Sequence, residues 1–434
     1  MYILYSLFLF VFRILLGLLS LFDEKIRKGI EGRKGLFQIL QTHYAGINPL
    51  RKRVIVHVSS FGELEQAKPV IAALKVRYPE IHIHLTFFSP SGYENAFGSY
   101  AAPDLVTYLP FDSHAEVRSF LEVTRPSLVV FVRYDLWHNF VREIHERNIP
   151  MILVSATFDN SLGKSLPFIK SLYRKTYSFV STICAISEAD KVALDSFAIH
   201  ARDISVTGDT RCDQVIARRT AVGQKAEPLL PELLMEQIKR EGTKIFVAGS
   251  TWRNDESVIG PVITTMISRK EKLITILAPH EVDRSHIDNL VSGFGASAIL
   301  YSNIALYKDE KIIIVDSIGK LFAFYEYAMF AYVGGGFSNG VHNVLEPSVW
   351  GVPSIVGPNH KRSKEIAALI GLGGAIEVRD AEEFKDAFEN WLLNDIPRTI
   401  ASVAAKEFVF SSQGATEKIM EKIGNLLDQQ QSLP

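Results

Sequence analysis

Short apolar runs alternate with amphipathic segments from about residue 52 onwards. The first half of the chain holds seven such runs: RVIVHV, IHIHLTFF, LVTYLP, SLVVFV, MILVSA, STICAIS and ISVTGD. Most of them lack polar alternation, which is typical of parallel strands covered by helices on both faces. The pattern predicts a doubly wound, Rossmann-like α/β domain over residues 25–213.

The alternation of apolar and amphipathic segments stops at residues 214–243. These residues carry charge and two prolines but no strand pattern, as expected of a linker with a short helix. A second series follows over residues 244–400: KIFVAGS, LITILAP, SAILYS, KIIIVDS, MFAYVGGG, PSIVGP and AIEVRD. It predicts a second Rossmann-like domain. Ligands of open α/β sheets bind at the carboxyl ends of strands, so we expect the two domains to face a cleft. Residues 401–434 are predicted to form a C-terminal helix that packs back toward the N-terminal domain.

The first 22 residues, MYILYSLFLFVFRILLGLLSLF, are apolar except for Arg13 and a few small or interfacial residues. As one helix they would measure roughly 33 Å, enough to cross a hydrocarbon core of about 30 Å. Five basic residues follow between Lys25 and Lys34, which favours a cytoplasmic position for the next domain. Arg13 in the middle of the run keeps an interfacial helix as the alternative to a spanning one. We therefore expect residues 1–24 to form a membrane-associated helix.

Composition and missing motifs argue against several classes of function. The chain has 47 basic and 48 acidic residues, so no overall field favours nucleic acid. Its two cysteines match neither a disulfide framework nor a zinc pattern. The sequence has no H-E-x-x-H pair, no Asp-x-Asp after a strand, no G-x-S-x-G elbow and no Walker motif. We therefore predict no metal, and the pattern does not favour a hydrolase or an ATPase.

The segment VSSFGELEQAKPV follows the first predicted strand and opens a helix. Its Ser60 and Glu63 fit the S-x-x-E capping box, in which both side chains bind free N–H groups of the helix start. Glu63 is therefore either a structural cap or a reactive carboxylate at the mouth of the domain. On these residues alone, the cap is favoured.

A glycine-rich string, FAYVGGGFSNGVHNVLEPSVW, stands where another strand turns into a helix. Glycines let a ligand approach the backbone, and a helix start favours an anion such as phosphate. Glu346, one turn along, suits the paired hydroxyls of a ribose. Two other strand ends are candidates to hold a nucleotide base or a phosphate: LAPHEVDR, which contains His280, and DSIGKL, which contains Lys320. Each of these two residues, taken alone, is equally compatible with a solvated loop.

Two further strand ends carry charge. Arg133 and Asp135 alternate in FVRYDLWHN, where they form either an ion pair or part of a ligand site. Arg211 in VTGDTRCD is either a solvated residue or an anion contact.

Taken in order along nearly the whole chain, these motifs resemble the 3-deoxy-D-manno-octulosonic acid (Kdo) transferases of lipopolysaccharide and lipid A biosynthesis. The resemblance rests on VHVSSFGELEQAKPVI, SPSGYE, YLPFD, LW-x-N, VTGDTRCD, AGST, DSIGKLFAFYEYAMFAYVGGG and HNVLEPSVWGVP. It implies a GT-B glycosyltransferase, inverting and without metal or cofactor, that moves Kdo from CMP-Kdo to the lipid A precursor lipid IVA. It also implies an N-terminal acceptor domain, a C-terminal donor domain and a place at the cytoplasmic side of the inner membrane, among membrane lipids.

The resemblance also implies roles for residues. Glu63 would be the general base, with Ser60 and Gly62 supporting it, and Arg211 would stabilise charge in the transition state. Donor contacts and their supporting glycines would be Pro279, His280, Ile318, Gly319, Lys320, Asn343, Val344, Leu345, Glu346, Gly335 and Gly336.

This chain departs from the family at two places. Arg133 replaces the first glutamate of the family's Glu-Thr-Glu-Leu-Trp-Pro-Asn motif, and Asp135 is the candidate to keep the acidic role. Arg133 suits a bidentate contact with the sugar carboxylate. The arginine expected after Pro279 is absent, and His280 stands there instead.

Three other functions remain open at this point. They are another lipid-acceptor GT-B transferase, a sugar-nucleotide epimerase that shares the two-domain fold, and a non-catalytic nucleotide-sugar binder. The apolar N-terminus argues against the epimerase, and the Arg133 replacement is the feature that supports the binder.

Overall fold

The computed structural model describes residues 2–94, 103–158, 167–199, 201, 203–223, 229–269, 272–361 and 363–429. The chain divides into two compact units. Unit 1 comprises residues 1–214 and 413–434, and unit 2 comprises residues 215–412. Each unit has its own parallel sheet, which confirms the prediction of two α/β domains.

In the described part of unit 1, all seven predicted apolar runs form strands. They are β1 (Arg53–Val58), β2 (His82–Phe87), β3 (Leu105–Tyr108), β4 (Leu128–Val132), β5 (Met151–Ala156), β6 (Thr182–Ala185) and β7 (Asp203–Val206). They are parallel, in the order β3-β2-β1-β4-β5-β6-β7. Alternate residues of β1 enter two different hydrophobic clusters, Ile55 on one face and Val54, Val56 and Val58 on the other. Burial on both faces explains why the strand shows no polar alternation.

The helices of unit 1 precede, connect and follow these strands. They are α1 (Tyr2–Leu19), α2 (Glu24–Glu31), α3 (Leu36–Ala45), α4 (Phe61–Arg77), α5 (Pro90–Glu94), α6 (His114–Thr124), α7 (His138–Glu146), α8 (Pro167–Ser178), α9 (Glu188–Ser196), α10 (Thr210–Val222) and, at the end of the chain, α19 (Ala415–Gln429). Ile419, Met420 and Ile423 of α19 are buried in the same cluster as Val54 and Val56.

Unit 2 repeats the parallel architecture. Within its described residues the strands are β8 (Lys244–Thr251), β9 (Leu273–Pro279), β10 (Ala298–Leu300), β11 (Ile312–Ile314), β12 (Phe330–Val333), β13 (Ser354–Val356) and β14 (Ala375–Glu377), in the order β10-β11-β9-β8-β12-β13-β14. Its helices are α11 (Glu232–Glu236), α12 (Arg253–Ser268), α13 (Arg284–Phe294), α14 (Leu321–Phe324), α15 (Leu345–Ser348), α16 (Lys364–Gly371), α17 (Ala381–Leu393) and α18 (Asp395–Phe410).

Residues 214–243, predicted as a linker, hold the second part of α10, then α11 and a π-helical turn, Gln237–Glu241. Residues 224–228 of this segment lie outside the described residues, as do residues 430–434 at the end of the predicted C-terminal helix. The predicted boundary between residues 213 and 214 lies within α10, one residue before the division of the two units after residue 214.

Helix α1 is shorter than the 22 residues predicted, because it ends at Leu19, and Asp23 caps the next helix. Among the described residues, no single helix is long and apolar enough to cross a bilayer. Residues Tyr5–Leu19 and Glu24–Glu31 meet the length and composition criteria only as a pair bent by 120°.

One side of α1 is docked on unit 1. Tyr5 is 9% exposed, and Arg13 forms an ion pair with Glu116. The remaining surface of the helix presents large apolar side chains to the outside: Leu7, Phe8, Phe10, Val11, Ile14, Leu15, Leu18 and Leu19. Helix α1 is therefore held by polar contacts and leaves its apolar side uncovered in the described chain.

Arg33, one of the five basic residues that follow α1, makes its contacts within unit 1. Its guanidinium is partly buried and donates to the carbonyl oxygens of Gly29, Phe88 and Leu109 at 2.6, 2.9 and 2.8 Å. Burial lowers its pKa to about 10. Arg33 therefore points into the fold rather than toward an outer surface.

Candidate functional site

The carboxyl edge of each sheet has a point where the chain connections diverge. In unit 1 this point lies between β1 and β4, because the chain runs outward from β1 through β2 and β3 and then returns to β4. In unit 2 it lies between β8 and β12. Open α/β sheets bind ligands at such switch points. Glu63 and Asp135 follow β1 and β4, and the glycine string follows β12.

Glu63 stands in the first turn of α4, where Ser60 is the N-cap with extended backbone (φ −138°, ψ 171°). The Ser59 and Ser60 amides both donate to Oε2 of Glu63, the second at 3.0 Å. The side chain is 3% exposed. Burial raises the pKa of Glu63, and the negative charge of Asp135 raises it further, while the two amides and His57 oppose the shift. Glu63 is thus a helix cap and a carboxylate of raised basicity at once.

His57 and Trp137 surround Asp135. Nε2 of His57 lies 3.3 Å from Oδ2 of Asp135, and Trp137 Nε1 donates to the same oxygen at 3.2 Å. His57 is fully buried, and its Nδ1 lies 3.0 Å from Thr86 Oγ1. The sequence interpretation missed His57. A histidine inside an otherwise apolar strand, six residues before Glu63, was the available signal.

Arg133 has an unusual backbone. Its φ is +72°, a left-handed conformation that is strained for a residue with a side chain. The guanidinium lies 5.3 Å from the Tyr134 ring centre, and its Nε is buried without a hydrogen-bond partner among the described residues. Asp135 pairs with His57 and Trp137, so the simple Arg133–Asp135 ion pair is not the observed arrangement.

Arg211 is the second residue of α10 and forms an ion pair with Asp209. Its Nε lies 3.0 Å from Oδ2 of Asp209, and its Nη2 lies 2.6 Å from the same oxygen. Burial acts to raise the pKa of Asp209, but the Arg211 charge and hydrogen bonds outweigh it and hold that pKa below its usual range. The Thr210 hydroxyl donates to the Gln66 carbonyl at 2.7 Å, which ties the start of α10 to α4, the helix of Glu63.

Close backbone contacts explain the glycine string. A Cβ on Gly335 would lie 2.2 Å from the Gly340 carbonyl oxygen, and one on Gly336 would lie 2.5 Å from the Gly357 backbone. Gly335 also has φ +94°. Both positions therefore require glycine for the fold of the loop. Gly62 in unit 1 differs, since the atom nearest to an added Cβ there is 4.0 Å away.

Asp255 organises the same loop, and the sequence interpretation missed it. Its fully buried carboxylate accepts from the amides of Gly335 and Phe337 at 2.7 and 3.1 Å. It also accepts from the Tyr332 hydroxyl at 2.7 Å and from the Trp252 amide at 2.9 Å. Asp255 is separated from the glycines by about 80 residues, so no local motif reveals the contact.

An aromatic group stands beside the loop at the ends of β8 and β9. Trp252 Nε1 donates to His342 Nε2 at 2.9 Å, and the two rings are nearly coplanar at 7°. His280 stacks on both, with ring centres 4.7 Å from Trp252 and 4.3 Å from His342. Burial and the nearby His280 lower the pKa of His342 to about 4. His342 is therefore neutral at pH 7 and carries its proton on Nδ1, where it is a donor.

The HNVLEP segment forms only one helical turn, α15, rather than the longer helix predicted. Asn343 Oδ1 accepts from the amide of Leu345, the first residue of this turn, at 3.0 Å. Val344 and Leu345 are buried, so their side chains belong to the core and only their backbone groups suit a ligand. Glu346 is partly exposed, and its Oε1 accepts from Arg218 Nη1 at 2.7 Å.

The other predicted donor residues lie at two neighbouring strand ends. Pro279 is the last residue of β9 and is buried, whereas His280 next to it is exposed. Ile318 is 84% exposed, Gly319 has φ +90°, and Lys320 Nζ lies 4.7 Å from the Tyr301 ring centre. Among the described residues no three His, Cys, Asp or Glu side chains are grouped to hold a metal ion.

Comparisons of the sequence with known proteins find Kdo transferases. A family model described as 3-deoxy-D-manno-octulosonic-acid transferase (kdotransferase) matches residues 30–214. A 3-deoxy-D-manno-octulosonic acid transferase of Haemophilus influenzae is 23% identical over 95% of this chain and 95% of its own. One of Chlamydophila psittaci is 28% identical over 73% of this chain and 72% of its own.

Solved structures of different activity share the fold. UDP-GlcNAc 2-epimerase from Neisseria meningitidis superposes with a TM-score of 0.60 at 15% identity, covering 86% of this chain and all of that one. A putative UDP-N-acetylglucosamine 2-epimerase from Listeria monocytogenes gives 0.58 at 13%, over 87% and 97%. These likenesses show the fold alone. The family model over residues 30–214 and the relatives along most of the chain show that the chain is similar to Kdo transferases, which supports a glycosyltransferase.

Proposed function

We propose that the protein is an inverting, metal-independent transferase that moves Kdo from CMP-Kdo to the lipid A precursor lipid IVA in lipopolysaccharide biosynthesis. The observation that carries the proposal is Glu63, a buried carboxylate with raised pKa next to Asp135 and His57 at the unit 1 switch point. The names of the relatives support Kdo as the sugar. CMP-Kdo as donor and lipid IVA as acceptor come from the family resemblance.

Glu63 is the general base in this proposal. Its carboxylate takes the proton of an acceptor hydroxyl while the oxygen attacks the anomeric carbon of Kdo. The bond from that carbon to the CMP phosphate oxygen breaks, and CMP leaves with the electron pair. Attack opposite the leaving group inverts the anomeric configuration. Burial favours the reaction, because a carboxylate of raised pKa is a stronger base.

The donor is proposed to bind at the unit 2 switch point. His280, Lys320 and the Nδ1–H of His342 supply donors for the phosphate, and the Gly335–Gly336 turn admits it close to the backbone. Glu346 accepts hydrogen bonds from the ribose hydroxyls. Since α15 is a single turn, we assign the leaving-group charge to these side chains more than to a helix dipole. The family resemblance supports Arg211 as the residue that stabilises charge in the transition state.

Arg133 is proposed to bind a sugar carboxylate. A guanidinium whose Nε is buried without a partner retains a donor for an incoming carboxylate oxygen. Asp135 then keeps the acidic role of the family motif, held by His57 and Trp137.

We also propose that the chain works at the cytoplasmic side of the inner membrane. The uncovered apolar side of α1 suits the lipid interface, where the lipid acceptor resides. Lys25, Arg27 and Lys34 remain as basic residues for anionic lipid, whereas Arg33 is engaged inside the fold.

The test is transfer itself. The full-length protein is incubated with CMP-Kdo and lipid IVA, with and without EDTA, and the lipid is followed by mass spectrometry. A Kdo-bearing lipid formed equally well in EDTA is the expected result. A parallel incubation replaces CMP-Kdo with UDP-GlcNAc. A lipid product formed only with UDP-GlcNAc would favour another lipid-acceptor transferase, and epimerised nucleotide sugar would favour an epimerase. Binding of CMP-Kdo without turnover would favour a non-catalytic binder.

A further inference from the structure

Arg218 is a cation that no family motif in this chain includes. It lies on α10, and its Nη1 donates to Glu346 Oε1 at 2.7 Å. Its guanidinium carbon lies 4.1 Å from the ring centre of Phe322. Arg218 therefore contacts a candidate donor-binding carboxylate on one side and an aromatic face on the other.

Both partners of Arg218 are held by the core. Phe322 is 3% exposed. Glu346 belongs to α15, in which Leu345, Pro347 and Ser348 are buried and the Ser348 hydroxyl donates to the Val344 carbonyl at 2.7 Å. Exposed ion pairs contribute little because two long side chains lose conformational freedom to form them. Here the ring and the buried turn limit that freedom, so the pair has a defined geometry.

The charge of Glu346 also needs a partner if a nucleotide binds beside it. An isolated carboxylate would repel the donor phosphate, and Arg218 compensates that charge. A carboxylate has about four acceptor positions, so the hydrogen bond from Arg218 and hydrogen bonds from ribose hydroxyls are compatible on the same group.

We propose that Arg218 is a positioning residue that orients the Glu346 carboxylate toward the paired hydroxyls of the donor ribose. This inference rests on the proposed function, since it assumes a cytidine nucleotide in unit 2. Arg218 itself touches Glu346 and not the reacting atoms.

The test compares the affinities of the full-length protein for CMP and for 2′-deoxy-CMP by isothermal titration calorimetry. Wild type is expected to prefer CMP by about tenfold, as one hydrogen bond to a charged group allows. Arg218→Ala should reduce the preference to about twofold with little change for 2′-deoxy-CMP, and Glu346→Gln should have the same effect. Arg218→Lys should restore part of the preference, and Arg218→Ala should add little in the Glu346→Gln background.

Arg219→Ala is the matched control. Arg219 is the next residue of α10, but its guanidinium stacks on the Trp350 and Phe410 rings, at 5.2 and 5.8 Å. It should keep the tenfold preference. If Arg218→Ala weakens both nucleotides equally, or leaves their ratio at the wild-type value, the positioning role is wrong although the protein binds CMP. If wild type binds no CMP, the proposed function fails as well.

Discussion

The Tyr5 hydroxyl donates a 2.8 Å hydrogen bond to Asp112 Oδ2, and this buried contact joins the N-terminal helix to the α/β core of unit 1. The same carboxylate accepts from the amides of Asn139 and Phe140 at 3.0 and 2.8 Å, in the first turn of α7. Burial raises the pKa of Asp112 to about 7, although these donors favour its charged form. Helix α1 is therefore an integral part of unit 1, tied to the helix that follows Asp135 and Trp137.

Tyr5→Phe is expected to lower the free energy of unfolding by about 2 kcal/mol, because a buried carboxylate loses a hydrogen-bond donor. Urea denaturation of the full-length protein in detergent measures the change. Tyr134→Phe is the control, since Tyr134 is 51% exposed and should change stability by less than about 0.5 kcal/mol. Equal effects of the two variants would show that the Tyr5 contact does not stabilise the fold.

Glu63→Gln is expected to separate the two roles of Glu63. The glutamine amide oxygen still accepts from the Ser59 and Ser60 amides, so the variant should fold normally, but it cannot take a proton. Transfer should fall about 10²- to 10⁴-fold. Glu63→Ala should lose both transfer and about 1 kcal/mol of stability. Initial rates with CMP-Kdo and lipid IVA, together with thermal unfolding, check both effects.

Ser113→Ala is the control for loss of a cap alone. The Ser113 side chain accepts from the Glu116 amide at 3.3 Å at the start of α6. The variant should lose stability and keep its turnover.

The pH dependence of wild-type kcat is a second test of Glu63. Because burial raises the pKa of Glu63, kcat should begin to fall, as the pH is lowered, above the ordinary glutamate pKa of about 4.3. Near-normal transfer by a folded Glu63→Gln protein would refute the base assignment.

Arg133→Gly is expected to be more stable than Arg133→Ala by about 1 kcal/mol. Glycine adopts φ +72° without strain, whereas alanine does not. Both variants should transfer Kdo more slowly, because both lack the guanidinium. Chemical denaturation of the pair measures the difference. Equal stabilities would mean that the backbone relaxes when the arginine is removed.

Histidines whose pKa is lowered by burial make stability depend on pH, and His82 and His84 are two of them. Burial lowers the pKa of His84 to about 3 and that of His82 to about 4. The unfolded chain binds these protons near pH ~6.5, so stability is complete above that pH and is lost as the pH falls from there toward 4. Each histidine contributes a slope of up to about 1.4 kcal/mol per pH unit.

His84→Gln should reduce the slope of unfolding free energy against pH by the contribution of one histidine, up to about 1.4 kcal/mol per pH unit. His84 lies 2.8 Å from Thr107 Oγ1 and 3.1 Å from the Tyr44 hydroxyl, contacts that a glutamine can partly replace. Urea denaturation at about pH 7.5 and about pH 5.5 measures the slope. His145→Gln, at an exposed position, should leave it unchanged. An unaltered slope in His84→Gln would show that other groups cause the acid sensitivity.

Local patterns were sufficient to predict the strands of both sheets, because buried parallel strands leave continuous apolar runs. They also located Glu63, whose capping role depends on residues three and four positions away. His57, Asp255 and Arg218 were not predicted, because each acts through a partner that the fold brings from a distant part of the sequence. The inward position of Arg33 has the same origin, since its acceptors are carbonyl groups that no sequence motif displays.

Helix α19 has a consequence for how the protein is made. Its residues Ile419, Met420 and Leu427 complete a hydrophobic cluster of unit 1, and the Asp213 carboxylate accepts from the Gly414 and Thr416 amides at 2.7 and 2.6 Å. On the ribosome, unit 1 is started first and finished last, after all of unit 2 has been synthesised. At about 5–20 residues per second, the unit 1 residues that pack against α19 stay uncovered for roughly 10–40 s. A fragment that stops at residue 214 remains in that exposed state permanently, so nascent-chain aggregation, rather than weak catalysis, is the failure expected of C-terminal truncation.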